Sequence, residues 1–459
     1  MPERAELPGA PEPEDRVVAH LDLDCFYASA ERLREPELEG EPVVVGMGYE
    51  PGDTIGAVAT ASYEAREFGV ESAMPIEEAL ERLPRRANVD RSAPRADGTD
   101  DPDAPAPDES GFYRPVDMAF YEETAAEVKS ILHDEAETVR EVSIDEAYLD
   151  LTPEGWDGAR AAVEHIRERI REEVGVVASV GVAPNMSTAK VASDHDKPDG
   201  LVVVGPDEVR EFLAPIPVDD LHGVGPVTAR TLRERGIETA GDVAEADLVE
   251  LEREFGERGR ELYDRARGRD DRAVEPRGRP KSLSSESALE ATDDGATKRD
   301  LVRSLAADVS ERARAKDALY RTIGIKVVQP PFDVNTRARS LSGPVDDPEL
   351  VEAVALDLLG EFSDAEVRKL GVRVSNLDFT AADQATIDGW EGGGESAPRD
   401  EPTRTGAADT SPDGEVPTEA EQATIGGWEH GTADDGTEED SAWHIRRGQT
   451  RLPEFVDEE

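Results

Sequence analysis

Three carboxylates stand in stretches that are otherwise largely apolar. Asp22 lies within Val17–Asp24 (VVAHLDLD), and Asp145 and Glu146 lie within Arg140–Asp150 (REVSIDEAYLD). Both stretches read as strands, and a carboxylate buried in a strand is costly unless a cation compensates it. One chemistry uses such a set: two Mg2+ ions about 3.5–4 Å apart, held by shared hard oxygen ligands. Side chains alternate across a strand, so Asp145 and Glu146 start on opposite faces. They can serve one metal pair only at a strand end or a bulge. The competing reading is a set of strand-end acids in an acid-rich chain.

The elements that must position these residues follow from the pattern around them. Helix 27–34 follows the first strand, and Val43–Gly46 and Thr54–Thr60 (TIGAVAT) are two more short strands. Helix 117–133, strand 140–150, helix 157–173 and strand 176–182 then complete a β-α…β-α-β series, which suggests a split ferredoxin-like sheet. Leu221–Pro226 (LHGVGP) opens a charged helical region that runs to about Arg269 and resembles a helix-hairpin-helix. In such a turn Gly223 and Gly225 let the backbone bend tightly and bring N–H groups close to a phosphate. Residues 282–379 read as strand 282–289, helix 297–315, strands 320–328 and 334–341, helix 347–361 and strand 368–377. That is a β-α-β-β-α-β pattern, and the fold class is α+β.

The chain has 459 residues, enough for about two to four compact units, and a formal net charge of −54. Such a charge implies either extensive disorder or life in molar salt, where the screening length falls to about 3 Å. A hydrophobic content of 37% and long periodic segments favour a folded protein from a high-salt cytoplasm. The acidity therefore says little against a nucleic-acid partner. Between Arg253 and Lys281, ten basic residues against seven acidic ones oppose the trend. Lone Cys25 excludes a disulfide framework and a thiolate zinc site. No apolar run reaches the about 18 residues of a membrane span, and the start (MPERAELPGAPEPED) has no signal-peptide core, so the expected location is cytoplasmic. Residues 1–15, an insertion at 91–110 and everything after Phe379 have compositions that cannot build a core and are expected to be disordered or exposed.

The runs LDLDCFYAS (21–29), GAVATASYEAREFGV (56–70), SIDEAYLD (143–150) and AKVASDHDKPDG (189–200), followed by the LHGVGP turn, resemble those of Y-family translesion DNA polymerases in the same order. The likeness covers about residues 16–379 and is greatest to the DNA polymerase IV branch. It implies a right-hand polymerase: palm at 1–34 and 91–205, small fingers at 35–90, a helix-hairpin-helix thumb at 206–275 and a β-α-β-β-α-β little finger at 276–379. It implies two Mg2+ ions held by Asp22, Asp145, Glu146 and the Leu23 carbonyl, with Glu146 serving the primer-side metal as the active-site acid. Tyr27 matches the steric gate that excludes a 2′-hydroxyl. Thr60, Tyr63 and Arg66 match triphosphate contacts, and Lys190 a palm lysine reaching the same phosphates. Ala57 and Ala59 leave the lid over the nascent base pair roomy, as lesion bypass requires. Asp24 matches no ligand and reads as a strand-end acid making hydrogen bonds. Arg277, Arg279, Lys281, Arg337 and Arg339 are candidate contacts of the last domain to the DNA backbone.

The implied activity is template-directed addition of deoxynucleoside triphosphates to a primer–template DNA by a monomer. The rivals are a catalytically inactive DNA-binding scaffold, which has no need of the intact set Asp22, Asp145 and Glu146, and a nucleotide cyclase, which has no need of the helix-hairpin-helix. In the tail, Gln384-Ala-Thr-Ile387-Asp-Gly-Trp390 recurs as Gln422-Ala-Thr-Ile425-Gly-Gly-Trp428 and, in spacing, as Gln449-Thr-Arg-Leu452-Pro-Glu-Phe455. This spacing places three side chains on one face of a helical turn and resembles the sliding-clamp-binding peptide. Gln449, Leu452 and Phe455, flanked by Arg446, Arg447 and Arg451, form the favoured copy.

Overall fold

The computed structural model describes residues 16–86 and 109–379. The expectations for residues 1–15, for most of the insertion at 91–110, and for the tail with Gln449, Leu452 and Phe455 lie outside the described residues. Within them, the chain divides into two compact units, the first ending at Arg279 and the second beginning at Pro280.

Strand β1 (Val18–Leu23) is buried along its whole length, which explains its near-continuous apolar run. A left-handed residue, Cys25 (φ 36°), turns the chain into helix α1 (Phe26–Arg34). Strands β2 (Val43–Met47) and β3 (Ala57–Ala61) pair antiparallel. The Ser62 hydroxyl then accepts the Ala65 N–H and starts the short helix α2 (Tyr63–Arg66), and α3 (Ile76–Arg82) follows. Strand β4 (Phe112–Pro115) pairs parallel with β2, giving a three-stranded sheet in the order β3-β2-β4. The boundary expected at residue 90 therefore cuts through a sheet that takes its third strand from beyond the insertion. Ser110, expected to be exposed, is buried; its carbonyl accepts from Arg86 at 3.0 Å.

Helix α4 (Met118–Glu135), strands β5 (Val139–Glu141) and β6 (Glu146–Asp150), and helix α5 (Gly155–Arg169) come next; α5 ends in a π-turn through Val174. Strand β7 (Ala178–Ala183), helix α6 (Met186–His195) and strand β8 (Leu201–Val203) complete a five-stranded sheet in the order β5-β6-β1-β7-β8. Alternation on β1 sends Ala19, Leu21 and Leu23 into a core shared with α4 and α5. It sends Val18, His20 and Asp22 to the α6 side. Five helices follow: α7 (Val209–Leu213), α8 (Pro226–Glu234), α9 (Ala240–Glu245), α10 (Leu248–Phe255) and α11 (Glu257–Ala266). Their core includes Leu221, Leu232 and Leu262 and continues into Val18, Tyr148 and Met186.

The second unit contains β9 (Ser282–Thr292), α12 (Gly295–Ala315), β10 (Leu319–Gln329), β11 (Asp333–Val345), α13 (Pro348–Leu359) and β12 (Val367–Asp378). This is the expected β-α-β-β-α-β series, folded as an antiparallel sheet in the order β11-β10-β12-β9. Both helices pack on the face that carries Ile323, Ile325, Leu370 and Val372. A lysine inside that packing, Lys298, is only 1% exposed, and it donates to the carbonyls of Phe362, Ser363 and Ala365 at 2.8–3.0 Å. Three acceptors for three ammonium hydrogens make its burial tolerable.

Candidate active site

The stretch 140–150 is not one strand, and the break resolves the problem of facing. Strand β5 ends at Glu141, β6 begins at Glu146, and Asp145 sits in the turn between them. Ser143 makes the turn: its hydroxyl donates to Asp145 Oδ1 at 2.5 Å and accepts the Glu146 N–H at 3.0 Å. Asp145 is thereby freed from strict alternation. Glu146 lies directly opposite Asp22 in the β1–β6 register, on the α6 face. The Leu23 N–H donates to the Asp145 carbonyl at 3.0 Å, which ties the turn to β1, while the Leu23 side chain lies in the core.

Two ammonium groups meet these acids. From α6, Lys190 Nζ lies 2.9 Å from Asp22 Oδ2, pairs with Glu146, and reaches Asp194 Oδ2 at 3.3 Å. Lys197, which sequence reasoning passed over, lies 2.7 Å from Asp22 Oδ1 and 2.8 Å from Asp194 Oδ1. Burial opposes ionisation of Asp22, but Lys190 and Lys197 together overcome it and hold its carboxyl well below the usual range. Burial pushes Glu146 up to about 7, against Lys190 and aided by the Asp22 charge. Burial also raises Asp145, against the Ser143 hydrogen bond. Behind Lys190, the Ser193 hydroxyl donates to the Lys190 carbonyl at 2.7 Å, so at 2.8 Å it accepts from His20 Nδ1–H. His20 is fully enclosed, and burial, followed by the Lys190 charge, holds it neutral.

The donor set fits a divalent ion in its chemistry, because Asp22, Asp145 and Glu146 offer hard carboxylate oxygens. Among the described residues, however, no three acidic, His or Cys side chains converge on one point that would hold an ion. The positive charge facing the acids comes from Lys190 and Lys197.

The other expected residues sit around this centre. The Tyr27 ring stacks on Tyr121 at 4.5 Å between centroids and 13° between planes. Tyr121, also missed in the sequence, donates to Glu31 Oε1 at 2.6 Å. Thr60 is on β3. Tyr63 and Arg66 are the first and last residues of α2, and the Arg66 guanidinium lies 4.7 Å over the Tyr63 ring. Arg66 Nε donates to the Ala61 carbonyl at 3.0 Å, and Glu64, a possible partner for it, pairs with Arg32 instead. The Tyr63 hydroxyl donates to Asp24 at 3.0 Å.

The expected nucleic-acid contacts are more scattered. Gly223 has φ +89°, a backbone conformation that residues other than glycine adopt only under strain, so glycine there serves the fold. Gly225 has no such need: a Cβ would meet nothing within 4 Å. Arg277 and Arg279 belong to the first unit rather than the last domain, and Arg277 donates to the Val142 carbonyl at 2.7 Å. Lys281 is exposed at the start of the second unit. Arg337 and Arg339 share a face of β11 with the helices, where Arg337 pairs with Glu361 at 2.7 Å and Arg339 pairs with Asp357.

Residues 21–194 match the model of the impB/mucB/samB family, residues 206–237 the IMS family HHH motif, and residues 280–388 the impB/mucB/samB family C-terminal domain. The chain is 61% identical over 398 residues to DNA polymerase IV of Halobacterium salinarum, covering 85% of this chain and 92% of that protein. It is 40% identical over 376 residues to DNA polymerase IV of Methanoculleus marisnigri, covering 81% and 98%. Among solved structures it is similar to a Y-family DNA polymerase chimera of Dbh and Dpo4 (TM-score 0.67, 28% identity) and to an insertion ternary complex of Dbh DNA polymerase (TM-score 0.56, 27% identity). Each covers 79% of this chain and 99% of the other.

Proposed function

Because this chain belongs to the Y-family of DNA polymerases, in the DNA polymerase IV branch, we propose that Asp22, Asp145 and Glu146 form its nucleotidyl-transfer centre. The observation that carries this is the placement of Asp22 opposite Glu146, with Asp145 brought alongside by the Ser143 turn. The reaction is attack of a primer 3′-hydroxyl on the α-phosphate of a deoxynucleoside triphosphate paired to the template, in synthesis past DNA damage. The family uses divalent ions. Here two Mg2+ would be held by the three carboxylates and the Leu23 carbonyl, and would stabilise charge on the attacking and leaving oxygens.

The chain's own residues position the reactants. Thr60, Tyr63 and Arg66 are assigned to the triphosphate from the fingers side, where Thr60 offers a hydroxyl, Arg66 a guanidinium fork and Tyr63 the ring beneath that fork, and Lys190 and Lys197 offer ammonium groups from the palm side. The Tyr27 ring closes the space beside the sugar. Gly225, whose missing side chain no neighbour requires, fits close approach of a DNA phosphate to the start of α8, with Gly223 shaping the turn. The domains are assigned as palm, fingers, thumb at 206–275, and a little finger that begins by Pro280 rather than at 276. Arg277, Arg279 and Lys281 are assigned to the DNA backbone. Arg337 and Arg339 join them by exchanging Glu361 and Asp357 for phosphates. Gln449, Leu452 and Phe455 are assigned to a sliding clamp, and the working form is a monomer.

The test is Asp145→Asn in single-turnover primer extension with saturating Mg2+ in molar KCl. Nucleotide addition should vanish while primer–template binding stays near wild type. A near-normal rate would remove Asp145 from the centre.

A further inference from the structure

Asp24 is not assigned to metal, nucleotide or DNA, yet its carboxylate accepts from three separate segments of the chain. It follows the end of β1, it is 3% exposed, and every hydrogen bond it accepts comes from a different element. Ser179 Oγ on β7 lies 2.9 Å from both carboxylate oxygens, the Tyr63 hydroxyl on α2 donates to Oδ1 at 3.0 Å, and the Asp199 N–H donates to Oδ2 at 2.7 Å.

Two of those donors belong to segments that carry cations. Tyr63 packs beneath the Arg66 guanidinium. Asp199 closes the turn that holds Lys197. That turn is tightly built: Asp199 is left-handed (φ 55°), its carboxylate takes Arg167 at 2.5 Å and Arg171 at 2.6 Å, and a Cβ on Gly200 would lie 2.3 Å from the Asp196 carbonyl. The Gly200 N–H also donates to Ser179 Oγ at 3.1 Å. The turn is thus fastened to β7 and to Asp24, and its Lys197 emerges 2.7 Å from Asp22.

We propose that Asp24 is a positioning residue for the triphosphate: one buried carboxylate fixes the separation between the Tyr63–Arg66 pair and Lys197, so that both meet the same phosphate chain. This rests on the reading that Arg66, seated on the Tyr63 ring, and Lys197 contact the triphosphate. A carboxylate accepts from all three donors at once, whereas an amide has one accepting oxygen, so at least one hydroxyl must turn from donor to acceptor. Asp24→Asn should therefore loosen one anchor or both without removing any group that touches the reacting atoms.

The experiment is single-turnover incorporation by the full chain in molar KCl, reading the apparent dissociation constant of the nucleotide separately from the maximal rate. Asp24→Asn should raise that constant about tenfold and change the maximal rate by less than about threefold. In a Tyr63→Phe, Lys197→Met background the same change should add less than about twofold, because the hydroxyl that ties the Tyr63–Arg66 pair to Asp24 and the ammonium that Asp24 places are both gone. Ser179→Ala, which removes one donor and keeps the charge, should give a smaller rise of the same kind, and it carries the test if the Asn variant does not fold. An unchanged constant for Asp24→Asn and Ser179→Ala, or a full effect in the double background, overturns the inference. If Arg66→Met and Lys197→Met each leave the constant unchanged, the phosphate assignment itself falls and takes the inference with it. If those two raise it and the Asp24 and Ser179 variants do not, only the role of Asp24 falls.

Discussion

Replacing Tyr121 should separate sugar selection from stability, because its side chain makes two contacts through different atoms. Its hydroxyl donates to Glu31 at 2.6 Å, and both groups are buried, at 0% and 3% exposure. Its ring stacks on Tyr27 at 4.5 Å. Tyr121→Phe keeps the ring and strips Glu31 of its donor. Losing a hydrogen bond to a charged group costs about 1.5–3 kcal/mol, which in a unit of this size lowers Tm by about 3–12 °C. Ribonucleotide discrimination should not move. Tyr121→Ala removes the ring as well. The stack is worth about 0.5–1.5 kcal/mol beyond its buried area, so a gate without that support should lose about two- to tenfold of its discrimination. Tyr27→Ala, which removes the clash itself, should cost orders of magnitude. The assay is single-turnover incorporation of matched ribo- and deoxynucleotides, with melting measured in the same molar KCl. If Tyr121→Phe lowers discrimination as much as Tyr121→Ala does, or if Tyr27→Ala leaves it unchanged, the stacked pair is not the gate.

A fold at net charge −54 should melt progressively higher from dilute to molar KCl, and full stability in dilute buffer would contradict adaptation to salt. Its DNA affinity should be weak, with a shallow logarithmic slope against salt, since few phosphates are neutralised; a steep slope in a titration would argue against that reading. Burial, followed by the Arg265 and Arg272 charges, lowers His222 to about 3. The unfolded chain therefore takes up this proton below about pH 6.5 while the folded one does not, and stability present above pH 6.5 is lost as pH falls towards 3. Thermal melts between about pH 7.5 and pH 5 should show a smaller loss in His222→Asn than in wild type, and equal losses would exclude His222 as a source. Leu452→Ala with Phe455→Ala should abolish clamp-stimulated synthesis and spare clamp-independent extension. Stimulation that survives there but fails in Ile425→Ala with Trp428→Ala would move the site to that copy.

The second unit was legible almost element by element, because long strands and amphipathic helices alternate there and each carries its own period, even though β12 pairs with β9 from the far end of the unit. The three-stranded sheet was not. Its strand β4 has four residues and ends in Pro115, and it pairs with Val43–Gly46 from across the insertion, so no local period marks it. The same contrast runs through the active site. Asp22 and Glu146 announce themselves as acids in apolar surroundings, and alternation alone puts Asp22 on the α6 face. The groups that make them work depend on turns. Ser143 looks like one more residue of a continuous strand, yet its hydroxyl ends one strand and starts the next, and so brings Asp145 beside Glu146.

Lys197 was overlooked for a related reason. Helical spacing accounts for Lys190, which lies on α6, but Lys197 lies beyond the helix and returns to Asp22 only because the chain folds back between Asp196 and Gly200. The signal was a glycine whose side chain would collide with the Asp196 carbonyl, next to an aspartate in the left-handed region. Tyr121 gave no signal of its own, because an aromatic on an amphipathic helix is ordinarily core, and here it is core as well as a support for Tyr27. Residue type therefore identifies which side chains are capable of the chemistry, while their convergence is set by turn-forming serines and glycines whose partners are distant in sequence. Asp24 belongs to both groups: an acid just past the end of β1 that takes hydrogen bonds from the segments carrying Arg66 and Lys197 as well as from β7.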